Sequence, residues 1–89
     1  MKSYVDPDFL EAFRRLPQAV RELARAKYRL FKINPHHPSL QFKRVSDLDP
    51  IYSVRINRKY RALGLWEGDR IDWFWIGSHD DYDQLLSAR

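Results

Sequence analysis

The chain has 89 residues, room for one domain and too few for two, and its 44% hydrophobic and 15% aromatic content predicts a small packed core, not a disordered chain. It has no cysteine, which excludes a disulfide framework, a zinc–thiolate site and a thiol nucleophile and suits a reducing cytoplasm. The start, MKSYVDPDF, lacks the apolar stretch of a signal peptide, and no apolar run approaches the roughly 20 residues of a membrane span. The net charge of +4 is unevenly spread: residues 12–46 hold nine Lys/Arg and one acid, whereas residues 67–83 hold six acids and one base. A basic first half suits a polyanionic partner, nucleic acid or an acidic protein segment, although exposed basic helices are also common without one.

Lys2–Val5 is short and strand-forming, and fits an edge strand. Asp6-Pro7 opens a helix, the Asp as cap and the Pro where its missing N–H costs nothing. Phe9, Leu10, Phe13 and Leu16 follow at helical spacing. Leu16-Pro17 interrupts, and a second helix is predicted from Pro17 to Lys32. Its apolar face is Val20, Leu23, Ala24, Tyr28 and Phe31, with a basic stripe of Arg21, Arg25, Arg29 and Lys32. Asn34–Ser39, with two prolines, is a loop. Leu40–Val45 reads as a strand or an extended arm, and Asp47–Pro50 as a turn.

Three β-type runs follow, Ile51–Ile56, Tyr60–Trp66 and Ile71–Gly77, joined by connections short enough to require an antiparallel meander. In the first, Tyr52, Val54 and Ile56 alternate with Ser53 and Arg55, so Arg55 points away from the apolar set. In the second, Arg61 shares a face with Leu63 and Leu65. The third is apolar at nearly every position, as expected of a strand covered on both faces. It runs directly into Ser78-His79-Asp80-Asp81-Tyr82, where Ser78 and Asp81 have the spacing of a capping box. Tyr82, Leu85 and Leu86 would fold a short C-terminal helix back onto the sheet.

His79 stands at the exit of the most buried strand. An imidazole there with Arg55 and Arg61 nearby is a set able to cleave RNA without metal: proton transfer by histidine, charge stabilisation by arginine. Each residue also has a structural explanation. His79 is the first residue of a capped helix, the two arginines have Asp72, Asp80 and Asp81 as possible ion-pair partners, and Tyr82 is either a stacking platform for a base or part of the core. His36 and His37 lack the spacing of a metal motif, so no metal site is expected. The phosphate-loop, dinucleotide and hydrolase-elbow patterns are not in the sequence.

FxxxLP, NPHHPSLQFKRV, IYSVRINRKYRAL and WFWIGSHDDYDQLL, in this order of elements, resemble the RelE/ParE superfamily of bacterial toxins from type II toxin–antitoxin systems. The resemblance runs over almost the whole chain. It implies an α+β fold: a twisted antiparallel sheet of four or five strands, an N-terminal helical hairpin on one face and a short C-terminal helix, all one domain over residues 1–89. RelE-like members cut mRNA, usually on the ribosome, with basic and histidine residues on the concave sheet face; ParE-like members poison DNA gyrase. Arg55 resembles a basic residue of the nucleases, and Arg61 their phosphate-stabilising arginine. His79 resembles a catalytic arginine of RelE that is a histidine in YafQ-type nucleases. Ser53 replaces a second basic residue, the C-terminal catalytic tyrosine of RelE has no counterpart in register, and Asp80 and Asp81 add negative charge beside the site.

The resemblance therefore implies a cytoplasmic toxin with endoribonuclease activity, His79, Arg61 and Arg55 being catalytic and Tyr82, Lys43, Arg44, Arg58 and Lys59 contacting RNA. The basic helix Arg21/Arg25/Arg29 would meet rRNA. It implies no cofactor and no membrane; the expected partners are a cognate antitoxin, mRNA and the ribosome. The alternative is a gyrase inhibitor or a non-catalytic antitoxin-binding module.

Overall fold

The computed structural model describes residues 1–87. Five strands form one sheet: β1 (Lys2–Val5), β2 (Lys43–Arg44), β3 (Ile51–Arg55), β4 (Tyr60–Glu67) and β5 (Arg70–Ser78), in the order β1-β5-β4-β3-β2. The helices are α1 (Pro7–Arg14), α2 (Gln18–Ile33) and α3 (His79–Ser87). β2 to β5 make the expected antiparallel meander, whereas β1 lies parallel to β5, so the sheet is mixed. The parallel pairing follows from connectivity: α1, α2 and the meander all separate β1 from β5, length enough for a crossover.

Asp6 caps α1 by accepting from the Phe9 N–H at 2.9 Å. Pro17 is the N-cap of α2 and offers no side-chain acceptor. Arg21 works at this junction: its guanidinium donates to the carbonyls of Leu16 and Arg14, left open where α1 ends. It is therefore taken out of the basic stripe expected on α2. The region read as strand or arm over Leu40–Val45 is mostly neither. A 3-10 turn at Pro38–Leu40 leads to Gln41 in the left-handed region (φ 46°), leaving β2 two residues long.

Both faces of the sheet are covered, by different elements. On one face α1 and α2 bury Val20, Ala24 and Phe31 against Val54, Ile56, Ala62, Ile71, Trp73 and Ile76. Phe31 meets Trp73 edge-on at 5.2 Å. The buried polar atoms there are satisfied: the Trp73 indole N–H donates to Ser3 Oγ at 3.0 Å, and Ser3 Oγ bonds the Tyr28 hydroxyl at 2.9 Å. On the other face α3 packs Tyr82, Leu85 and Leu86 against Ile51, Leu63, Leu65, Phe74 and Trp75.

The apolar run in β5 serves both cores through a β-bulge. Leu63 pairs with Trp75 but Gly64 pairs with Trp73, so Phe74 is the extra residue. Ile71, Trp73 and Ile76 thus face the helical hairpin, and the consecutive Phe74 and Trp75 both belong to the opposite core. Gly64 makes the crossing possible, since a Cβ there would lie 2.9 Å from Ile71 Cδ1 and Trp73 Cε3. Gly64→Ala is expected to destabilise the fold by about 1–3 kcal/mol through overpacking, measured as a lower midpoint of urea unfolding with an unchanged m-value.

Candidate functional site

Directly opposed residues of an antiparallel pair project on the same face, and their chain neighbours on the other. The register therefore maps the face carrying α3. One cross-strand row is Lys43–Ser53–Leu63–Trp75, and the next is Arg55–Arg61–Gly77. Arg44 opposes Tyr52 and so lies on the hairpin side, with its Nε donating to the Ser46 carbonyl at 2.9 Å. Lys43 and Arg44, expected to act together on RNA, are split between faces. Arg58 and Lys59 are exposed at the tip of the β3–β4 turn. Asn57 shapes that turn by accepting from the Lys59 and Tyr60 N–H groups at 2.8 and 3.0 Å.

Arg55 and Arg61 are directly opposed, a placement that like charges normally avoid. Among the described residues neither forms a salt bridge. Asp72 is engaged elsewhere, held by Arg70 in a two-pronged contact at 2.8–3.0 Å that lowers the Asp72 pKa and raises that of Arg70. Burial and the neighbouring Arg55 lower the Arg61 pKa, while Tyr82 and Asp83 oppose that shift. A guanidinium stays charged throughout the physiological range, so the pair is a fixed double positive charge. Arg61 Nη1 also donates to the carbonyls of Asn57 and Tyr60, which locks the side chain under the turn.

Gly77 completes the arginine row with no side chain, and the Trp75 indole lies over it: a Cβ there would be 2.7 Å from Trp75 Cζ2. One residue further on, Ser78 still pairs with Tyr60, and the His79 N–H donates to the Lys59 carbonyl. The same turn that holds Arg61 thus fixes the start of α3. Ser78 Oγ accepts from the Asp81 N–H at 3.2 Å, half of the expected capping box. The reciprocal bond from the Asp81 carboxylate is not made among the described residues, and Asp80 and Asp81 are both exposed.

His79 stacks on Tyr82, with ring centroids 5.7 Å apart and planes at 20°. Its Nε2 lies 3.4 Å from Asp83 Oδ2, and its Nδ1 is buried with no hydrogen-bond partner among the described residues. Tyr82 is 8% exposed and belongs to the core with Ile51 and Leu63. Its ring supports the imidazole from the core side, so it is buried beneath His79 and not an open platform. The structure thus brings Arg55, Arg61 and His79 to one end of one face, with Lys43 a row away, and leaves Arg44 outside. Asp83 escaped the sequence reading, although its i, i+4 spacing from His79 on a helix is the signal that finds it. His37 is far from this chemistry in role: its Nδ1 accepts from the Ser39 N–H at 3.2 Å and caps the 3-10 turn.

The overall fold is similar to that of solved toxins. The YoeB/ParE toxin from Agrobacterium tumefaciens superposes with a TM-score of 0.69 at 18% identity, over 89% of this chain and 99% of that one. In the RelB-RelE antitoxin-toxin complex from Methanococcus jannaschii the match has a TM-score of 0.75 at 13% identity, over 92% and 96%. The archaeal RelE-RelB complex from Pyrococcus horikoshii OT3 gives 0.67 at 13%, over 86% and 92%. No curated protein matches the chain. The fold is that of RelE/ParE-superfamily toxins. A model of the ParE-like toxin domain matches residues 18–84, and the chain belongs to that family.

If Tyr82 is a core residue, Tyr82→Phe will keep stability at the wild-type level. Tyr82→Ala should lose about 3–5 kcal/mol in chemical denaturation.

Proposed function

We propose that this protein is a toxin of a toxin–antitoxin pair that cleaves mRNA, acting on the ribosome. The observation that carries the reading is the Arg55–Arg61 opposition, two guanidiniums that form no salt bridge among the described residues, next to an imidazole fixed at the strand exit. A site of this kind is built for an anion whose charge grows during reaction. The 2′-oxygen of a ribose attacks the adjacent phosphorus, the 5′-oxygen leaves, and the products are a 2′,3′-cyclic phosphate and a 5′-hydroxyl. Arg55 and Arg61 stabilise the pentacoordinate phosphorus. His79 Nε2 is the proton-transfer group, with 45% of its side chain exposed. Arg58 and Lys59 at the turn tip and Lys43 on the sheet meet backbone phosphates.

The partner in the resting state is an antitoxin. Supporting this, the two archaeal structures are RelB–RelE complexes. A cavity of about 190 Å³ between hairpin and sheet is lined by Phe9, Leu10, Phe13 and Tyr28, with Arg25 and Lys27 at the rim. An acidic segment with apolar anchors fits it. Among the described residues no helix is long and apolar enough to cross a membrane.

A second reading, a gyrase inhibitor or a non-catalytic antitoxin-binding module, is favoured by Asp80 and Asp81, which set two exposed carboxylates beside the site. Cleavage of ribosome-bound mRNA, with the 3′ ends of the products identified, separates the two. The nuclease reading expects cyclic-phosphate ends, a rate about 10²–10⁴-fold lower for His79→Ala and about 10²–10³-fold lower for Arg61→Ala. Absence of cleavage by the wild type, or equal cleavage by His79→Ala, contradicts it.

A further inference from the structure

Asp83 lies one helical turn beyond His79 and faces it, its Oδ2 3.4 Å from Nε2 with 61% of the side chain exposed. An acid next to an active histidine usually orients it by holding one ring nitrogen while the other moves the proton. Here that arrangement fails. Nδ1 is buried and without a hydrogen-bond partner among the described residues, so it meets no substrate. The nitrogen left for a substrate is Nε2, and the Asp83 carboxylate lies 3.4 Å from it. A carboxylate on the only usable nitrogen is a competitor of the substrate.

We infer that Asp83 is a built-in stand-in for the substrate phosphate, a carboxylate that holds the anion position beside His79 and must swing away before a phosphate binds. The proposal deepens the reading of this face as a phosphate site and rests on it. Asp83 also favours the charged form of Arg61, as Tyr82 does, against the burial and the neighbouring Arg55 that disfavour it. Its exposure leaves it room to rotate outward, and α3 does not need it, because Tyr82, Leu85 and Leu86 make the packing contacts. Asp80 provides the comparison: same charge, same helix, exposed, and among the described residues in no ion pair with His79. In this account the resting toxin carries its own weak inhibitor, and a ligand with more negative charge than a carboxylate displaces it.

The test is a titration of the protein with inorganic phosphate at constant ionic strength, read by the NMR shifts of the His79 ring, for wild type, Asp83→Asn, Asp83→Ser and Asp80→Asn. Removing a carboxylate that the anion must otherwise displace from a charge a few ångströms away in watery surroundings corresponds to roughly fivefold tighter binding. Both Asp83 variants are expected to gain that much, and Asp80→Asn to stay within about twofold of wild type. Binding by the Asp83 variants that is equal to or weaker than wild type, or an equal gain in Asp80→Asn, overturns the proposal. The nuclease reading fails separately, by loss of RNA cleavage or its independence of His79. A protein that binds phosphate at His79 without cutting RNA keeps the gate and loses the nuclease.

Discussion

The structure depends on β5 being shared. It is the one strand with a parallel partner on one edge, β1, and an antiparallel partner on the other, β4. It is also covered by the helical hairpin on one face and by α3 on the other. A strand so placed must be apolar on both faces, and the Phe74 bulge lets consecutive aromatic residues serve the core under α3 without giving up the one under the hairpin. The site inherits its rigidity from this strand. Gly77 and Ser78 are still in the ladder when the chain turns into α3, so His79 starts from a fixed backbone.

Against that rigid exit, the arginine pair is a concentrated electrostatic cost. Opposed like charges weaken a sheet, and no carboxylate salt bridge relieves them among the described residues. The cost is offset locally: the β3–β4 turn supplies two carbonyls to Arg61, and Asn57 fixes the turn that presents them. The turn thereby does three things together. It neutralises part of Arg61, anchors the His79 N–H, and displays Arg58 and Lys59 at its tip. A sheet that stores such repulsion at one end is pre-organised for an anion, since binding relieves the repulsion instead of having to create the charge arrangement.

Much of this was legible in the sequence, because it rests on periodicity. The alternation points Arg55 away from Tyr52, Val54 and Ile56 and puts Arg61 on the face of Leu63 and Leu65, and the register bears that out. The strand, helical hairpin and meander, and the C-terminal helix folding back through Tyr82, Leu85 and Leu86, are likewise as expected. What was illegible involved partners far apart in sequence or period changes inside an apolar run. Lys2–Val5 carries no sign of the direction in which it pairs. The Phe74 bulge is hidden because Trp73, Phe74, Trp75 and Ile76 are all apolar, whichever face they take. Arg21 reads as one of a basic stripe until the open carbonyls of Leu16 and Arg14 are seen beside it. Lys43 and Arg44 look like a pair until β2 gives them opposite faces. Asp83 was masked by Asp80 and Asp81, whose spacing suggested a capping box that is only half formed.

The central claim is that the arginine row and His79 form a working RNA-cleaving site and not an inert remnant on a binding module. Its most direct measurement is growth arrest on expressing wild type or His79→Ala, with protein synthesis and DNA replication followed separately in the same cells. The account predicts that the wild type stops translation first while replication continues, and that His79→Ala does neither. An arrest that begins with replication, leaves translation untouched and is equally strong in His79→Ala would contradict it.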